Sequence, residues 1–349
     1  MPELPEVETV KRGLVKLLVG HTIKSVDFDW PKSFPNAEND VEQFLIRSKV
    51  IDVRRRAKVL MIDLSSNYSL VIHLKMTGQL VYVRLGEQSD ESRMMSQEKD
   101  NQTTSHNSSL ISHNSVSVAD IRFGAGHPND SLIKKLPDNS TRVVFTLDNN
   151  ANLYFNDQRK FGWVKLLPTN HIQEMPFMQK VGPEPLEDEF TYLVFVSRLH
   201  RRKNSAIKAV LLDQTVLAGI GNIYADESLW GAKIHPLAKV GDISQAKLKK
   251  LYEEIRYVLN LSIEKGGSTD RNYVNAEGKK GSYIDFARVF RKEGTPCQRC
   301  GTTITKTRVA SRGTHLCMVC QRYNNLPLNQ SRPDYLPHST DERKLVQNS

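Results

Sequence analysis

Between residues 5 and 18 the chain reads PEVETVKRGLVKLL, and Val7, Val10, Leu14, Leu17 and Leu18 recur at helical intervals. That interval lines them along one face of a helix, and Pro5, with a fixed φ and no N–H to lose, suits the first helical position. From about 22 to 83 the period changes. TIKSVDFDW, SKVIDVRRRAK, VLMIDLS, YSLVIHLKM and QLVYVRL are short runs that alternate or are rich in β-branched residues; TRVVFTLD, ANLYFND and GWVKLLP repeat the pattern further on. Several short strands with polar turns, after one helix, predict a β-sandwich.

Residues 86–139 interrupt this pattern. EQSDESRMMSQEKDNQTTSHNSSLISHNSVSV is rich in Ser, Asn, Gln and Asp and has almost no periodic apolar positions. Such a stretch buries too little surface to offset the entropy of ordering, so 86–139 is expected to be a disordered insertion and 323–349 a disordered tail. Beyond VGPEPLEDEF the period is helical: FTYLVFVSRL, NSAIKAVLLDQ, a short TVLAG, NIYADESLWGAK and the long SQAKLKKLYEEIRYVLNLSIEKGG, which ends at its Gly pair. The expectation is an α+β multidomain chain. It has a sheet domain over 1–170, a linker over 171–183, a helical domain over 184–288 and a small cysteine-bearing unit over 289–322.

Charge adds a class of partner. The 349 residues carry 49 Lys plus Arg against 39 Asp plus Glu, a formal charge of +10, with a pI near 9.3. Such a surplus points to a polyanion, either nucleic acid or an acidic membrane surface. No run approaches the roughly 18 apolar residues of a membrane span. The start PELPEVE is acidic where a signal peptide is basic and apolar, so a cytoplasmic protein with no membrane partner is expected.

All the cysteines lie in CQRC and CMVC, at Cys297, Cys300, Cys317 and Cys320. A C-x2-C pair puts two thiolates on one tight turn, and two pairs at this separation complete a tetrahedron around zinc; two disulfides or free thiols are the alternatives. Four protein ligands leave no position for water, so the ion would be structural. The loop between the pairs carries Lys306, Arg308 and Arg312 among β-prone residues, which suits a basic hairpin that touches DNA or a solvated turn.

The opening MPELPEVETV has two readings. Pro2 and Glu3 start a helix, with the carboxylate near its positive end. Alternatively, removal of Met1, which a small second residue permits, makes Pro2 a secondary amine. An α-amino group has a pKa near about 7.7 to 8.0 and is partly neutral at working pH. Condensed with a sugar C1′, it gives an iminium with no N–H to lose, an electron sink for elimination at C3′. Glu3 is the adjacent acid.

Further motifs follow in order: RRRAK at 54–58, HLKMTGQL at 73–80, QRKFG at 158–162, GPEPL from 182, GIGNIYADESLWGAKIHP at 219–236, YVNAEGKKG at 273–281 and the cysteine cluster. With MPELPEVETV they resemble the bacterial formamidopyrimidine-DNA glycosylase family over 1–322, apart from the insertion. The resemblance implies an N-terminal helix with a two-layer β-sandwich, a helix-two-turn-helix domain and a C-terminal zinc-finger β-hairpin, with DNA in the cleft between. It implies a monomer with one structural Zn2+ that removes oxidised purines, chiefly 8-oxoguanine and formamidopyrimidines, from damaged double-stranded DNA. β,δ-Elimination at the abasic site follows.

It also implies residue roles. Pro2 matches the Schiff-base nucleophile, Glu3 the proton donor, Glu6 an accessory carboxylate, Lys58 the residue of β-elimination and Arg312 that of δ-elimination. A lysine beside Arg54, Arg55 and Arg56 suits a grip on phosphate. Asn222, just before a helix, suits a cap beside N–H groups that face a phosphate, and Lys203 and Lys208 match phosphate-contacting lysines. Met76, Arg159 and Phe161 match the side chains that fill the hole left by an extruded base.

The chain also departs from the family pattern. Lys160 stands where an arginine is usual, which loses a bidentate grip. A usual histidine before TRVVFTL is absent; Ser140 falls nearest, with Arg142 a possible substitute. SYIDFARVF replaces the typical Tyr-Phe in the loop over an extruded base. An endonuclease VIII-like enzyme for oxidised pyrimidines, a noncatalytic damaged-DNA-binding protein and a zinc-finger regulator are the competing readings. Leu4, where the endonuclease VIII type has glycine, opposes the first; Pro2, Glu3 and Lys58 oppose the second.

Overall fold

The structure, a computed structural model, describes residues 2–86, 121–127, 130–268 and 283–323. Most of the expected insertion, the expected tail from 324 on and the YVNAEGKKG motif lie outside those residues.

Helix α1 spans Leu4–Leu18. It begins one residue earlier than its proline suggested, so Pro5 is its second residue and Glu3 its N-cap. The apolar face is as its spacing predicted: Val7, Val10, Leu14 and Leu18 are buried in the main core. The strands are β1 (Ile23–Phe28), β2 (Val50–Arg56), β3 (Val59–Leu64), β4 (Tyr68–His73), β5 (Gly78–Arg84), β6 (Ile121–Gly126), β7 (Thr141–Leu147), β8 (Asn152–Asp157) and β9 (Trp163–Pro168). They form a five-stranded sheet, β1-β7-β8-β5-β6, and a four-stranded sheet, β2-β3-β4-β9. All the pairings are antiparallel. Apolar side chains of both sheets and α1 close on one another, which is the sandwich core.

Strand β6 corrects the expected insertion. IRFGAG pairs along β5 from Arg84↔Ile121 to Gln79↔Gly126, and Phe123 and Ala125 are in the core. Two glycines and no clean alternation hid it in the sequence. Phe123 needs the bare face of Gly13 on α1, where a Cβ would lie 2.1 Å from its ring. Residues 130–132 form a 3-10 turn, and Leu132 packs on Val81 and Tyr154, on the outer face of the sheet. The replacement Phe123→Ala is expected to cost about 3 to 5 kcal/mol of stability in urea unfolding; a loss below about 1 kcal/mol would place β6 outside the core.

The expected linker is also folded. Thr169–Glu174 is a 3-10 helix and Pro176–Lys180 a short α-helix. Ile172 and Met178 cover Val59, Met61 and Val71. This accounts for VLMIDL being buried on both faces.

The helical unit consists of α2 (Tyr192–His200), α3 (Ile207–Leu212), α4 (Asn222–Gly231) and α5 (Gln245–Glu264), with its own core. TVLAG forms turns rather than a helix, for a reason that belongs to the cleft described below. Helix α1 touches both sheets and α5, so its N-terminus opens where the two units meet. The last unit is a hairpin, β10 (Thr305–Val309) and β11 (Arg312–Leu316). Ala310 and Ser311 at its tip both have positive φ, the turn that matches strand twist. Trp230 of α4 packs with Val289, Ile304, Cys297 and Cys317 to join hairpin and helices.

Candidate active site

A cleft of about 380 Å³ lies where these parts meet, lined by Pro2, Glu3, Glu6, Lys58, Met76, Asn222 and Arg312, among others. That volume is in the range that holds a small organic group. The N-terminus reaches it through the GIG of GIGN. The Leu4 N–H donates to the Gly219 carbonyl at 3.0 Å. Gly219 has φ +80 and would carry a Cβ 2.6 Å from Leu4, while a Cβ on Gly221 would lie 2.2 Å from the Glu3 carboxyl carbon. Both positions therefore need glycine. Gln214 holds the turn by accepting from Gly219 N–H at 2.9 Å and donating to the Ile220 carbonyl at 2.8 Å. The approach to Leu4 rules out a helix over TVLAG.

Glu3 is buried, 3% exposed. Its Oε1 accepts from the Ile223 N–H at 3.1 Å, in the first turn of α4, and Oε2 has no hydrogen-bond partner among the described residues. Burial pushes its pKa up to about 7; Lys58 and the Ile223 N–H oppose the rise, and Glu6 adds to it. Lys58 is buried too, and burial lowers its pKa against the pull of Glu3 and Glu6. Its ammonium donates to the Ile220 carbonyl at 2.9 Å. Glu6 accepts from the Glu3 N–H at 2.8 Å, the Tyr224 hydroxyl at 2.5 Å and the Ser268 N–H at 2.8 Å. Its place is that of a brace under Glu3. A carboxyl half-protonated near neutral pH, beside a buried ammonium, is equipped to deliver a proton.

Several expectations change. Asn222 does not cap α4: Gly221 is the N-cap, and Glu3 occupies that helix end. The Asn222 amide instead donates to the Gly313 carbonyl at 2.9 Å, next to Arg312. Lys208 is not open to a phosphate. It is fully buried, and its ammonium is spent on Asp226 at 2.6 Å, the Gly313 carbonyl at 3.1 Å and Thr314 at 2.7 Å. It pins the hairpin to α3 and α4. The arginine run beside Lys58 is likewise engaged. Arg54 pairs with Asp63, Arg55 with Glu8 at 2.9 Å and Glu184 at 2.8 Å, and Arg56 donates to the Gly182 carbonyl at 2.9 Å. Arg54 is tied within the sheet, while Arg55 and Arg56 join the two units through Glu184 and Gly182, partners that local sequence cannot show. Ser140 is buried with its hydroxyl on Asp138 at 2.6 Å. Arg142 is buried against Asp29, Asn139 and the Asp157 carbonyl, so neither faces a ligand.

Met76 lines the cleft. Arg159 lies over the ring of Phe161 at 4.9 Å, and Phe161 is 54% exposed, a large apolar ring facing solvent. Lys160 sits over the Trp30 ring at 4.2 Å. Lys203 is exposed on the turn after α2, and Arg312 is exposed at the start of β11, at the cleft edge.

The four cysteine sulfurs all lie within 4.8 Å of one another. Separations of 3.4 Å for Cys300 to Cys317 and to Cys320, and 3.9 Å for Cys297 to Cys320, bracket the spacing of about 3.8 Å set by four Zn–S bonds of about 2.3 Å. The residues fit one structural zinc, which would clip the base of the hairpin that carries Arg312.

Sequence reasoning missed Tyr224, Gln214, Asp157, Glu184 and His127. Tyr224 and Gln214 read as ordinary helical residues. Asp157, fully buried at a strand end, was the visible anomaly in ANLYFND. His127 lines the cleft from the end of β6, inside the expected insertion, and burial lowers its pKa.

Comparison with known proteins agrees over most of the chain. Residues 1–164 match the formamidopyrimidine-DNA glycosylase N-terminal domain, 181–273 its H2TH domain and 294–322 the zinc finger found in FPG and IleRS. The formamidopyrimidine-DNA glycosylase of Herpetosiphon aurantiacus is 38% identical over 92% of this chain and 100% of its own; that of Pelotomaculum thermopropionicum is 35% identical over 92% and 99%. Among solved structures, the Thermus thermophilus MutM (Fpg) protein is similar at 30% identity and TM-score 0.70, covering 92% of this chain and 98% of its own. Lactococcus lactis Fpg in complex with abasic-site DNA is similar at 30% identity and TM-score 0.72, covering 92% and 100%. With its glycosylase sheet domain, H2TH helices and four-cysteine finger all present and in order, the chain belongs to the formamidopyrimidine-DNA glycosylase family.

Proposed function

We propose that the protein acts as a monomer on damaged duplex DNA, excises oxidised purines such as 8-oxoguanine and formamidopyrimidines, and then cleaves the strand by β,δ-elimination. The observation that carries this reading is Glu3, a buried carboxyl with a pKa near 7 in the same cleft as Pro2 and Lys58. Related proteins named as this glycosylase, one of them solved on abasic-site DNA, support the substrate class.

Removal of Met1 exposes the Pro2 secondary amine, which attacks C1′ of the damaged nucleotide. The bond from C1′ to the base breaks, and the base leaves with the amine proton. Glu3 gives its proton to the sugar ring oxygen, the ring opens, and C1′ and Pro2 nitrogen share an iminium double bond. That cation acidifies C2′. Loss of a C2′ proton expels the 3′ phosphate, a second elimination expels the 5′ phosphate, and water hydrolyses the iminium to restore the amine. Lys58 and Arg312 hold the phosphates as they depart. Met76, Arg159 and Phe161 occupy the emptied stack, with the Arg159 guanidinium toward the orphaned base. Zinc takes no part in these bonds; bound to the four thiolates, it holds the hairpin rigid.

A panel of duplexes carrying either 8-oxoguanine or an oxidised pyrimidine, each opposite C, A or T, tests the substrate. Excision of the purine from the pair with C is expected to be fastest. Faster excision of the pyrimidine would replace this reading with an endonuclease VIII-like one.

A further inference from the structure

Asp157 ends β8 with its side chain sealed from solvent, and among the described residues every donor to its carboxylate comes from one of two loops. The Thr77 hydroxyl and the Arg159 N–H, the latter at 3.2 Å, donate to Oδ1; the Gly162 N–H donates to Oδ2 at 2.6 Å. The Arg159 N–H also reaches the Thr77 hydroxyl, at 3.1 Å. One carboxylate thus ties the loop after β4, which presents Met76, to the turn after β8, which presents Arg159 and Phe161. Both loops hold a non-glycine residue in the left-handed region, Lys75 at φ 50 and Lys160 at φ 57. Such conformations persist only where surrounding contacts enforce them. Gly162 adds a close fit, since a Cβ there would lie 2.7 Å from the Phe155 ring.

We propose that Asp157 is the positioning residue for base extrusion: it joins two loops into one rigid probe, so that Met76 enters the stack in register with Arg159 and Phe161. This rests on the reading above that those three side chains fill the emptied site. Asp157 touches no reacting atom. Its loss slows the step that pushes a base out, and leaves the chemistry on an already baseless sugar intact.

Two variants separate the cases. Asp157→Asn keeps the size and the Oδ1 acceptor but turns an amide NH2 toward the Gly162 N–H. Thr77→Val cuts the tie to the other loop, including its contact with the Arg159 N–H, and leaves the bonds of the Arg159 and Gly162 N–H groups to Asp157 in place. Single-turnover cleavage, with enzyme in excess, is followed on an 8-oxoguanine duplex and on a duplex with a preformed abasic site. In each variant, 8-oxoguanine excision is expected to fall by about ten- to a hundredfold, the scale of a small misplacement of a working group; cleavage of the abasic duplex stays near the wild-type rate. Equal losses on both duplexes, or no loss on either in both variants, overturn the proposal. A wild-type protein that leaves both duplexes intact overturns the functional reading and this inference with it. Wild-type activity on both, with equal losses in the variants, overturns this inference alone.

Discussion

The variant Glu3→Gln is expected to excise 8-oxoguanine about 100- to 10,000-fold more slowly than wild type, the contribution of a positioned acid. Glutamine has the shape of the acid and keeps an acceptor for the Ile223 N–H, so the docking of the N-terminus on the GIG turn survives. It has no carboxyl proton to give. The pH profile carries the same information with a sign. Glu3 has a pKa near 7, and the protonated form is the active one. Wild-type kcat/KM therefore falls on the alkaline side as Glu3 ionises. The amine must be neutral to attack, and with a reference pKa of about 7.7 to 8.0 it sets the opposing acid limb. The variant keeps the acid limb and loses the alkaline one. An excision rate within about tenfold of wild type, with the alkaline limb in place, would show that another group supplies the proton.

The second large effect concerns a group far from the sugar. Cys317 is fully buried and its sulfur is 3.4 Å from that of Cys300; Cys317→Ser removes one of four soft ligands from the proposed zinc set. Structural zinc contributes an apparent 10 to 16 kcal/mol, approximately, to small finger folds, far more than the apolar contacts of this hairpin could replace. The expected result is protein without zinc by elemental analysis, and strand cleavage reduced by at least about a hundredfold, because Arg312 and the Gly313 carbonyl held by Lys208 and Asn222 lose their support. Among the described residues the sandwich core and the cluster around Cys297 and Cys317 are separate, and the sandwich's unfolding transition should stay. Full cleavage activity in a zinc-free protein would contradict the role given to the hairpin.

What was legible in the sequence depended on whether a residue's partners were local. The helix α1 was readable because Val7, Val10, Leu14 and Leu18 all answer to one core, and the zinc set was readable because its spacing carries its geometry. Strand β6 was not. Gly124 and Gly126 break the alternation, and Phe123 has its place only because Gly13, on another element, leaves room. Beside Lys58, Arg55 and Arg56 gave no sign of partners in the sequence; Glu8, Glu184 and the Gly182 carbonyl meet them from other elements, while Arg54 pairs with Asp63 on the neighbouring strand. Lys208 misled in the same way, since Asp226 lies on the next helix and Thr314 on the hairpin. Glu3 shows the converse. Its adjacency to Pro2 is written in the sequence, but its raised pKa follows from burial against Gly221 and α4, which only the fold creates.

The central claim is that the Pro2 nitrogen forms the covalent bond to DNA, and borohydride trapping on an abasic duplex followed by peptide mass mapping tests it most directly. The account predicts a protein without Met1 and a reduced sugar adduct on the peptide that begins PELPEVETVK. Pro2→Gly is expected to keep part of the adduct, through its primary amine, and an acetylated N-terminus to form none. An adduct mapped to Lys58, or trapping that survives acetylation, would contradict the account.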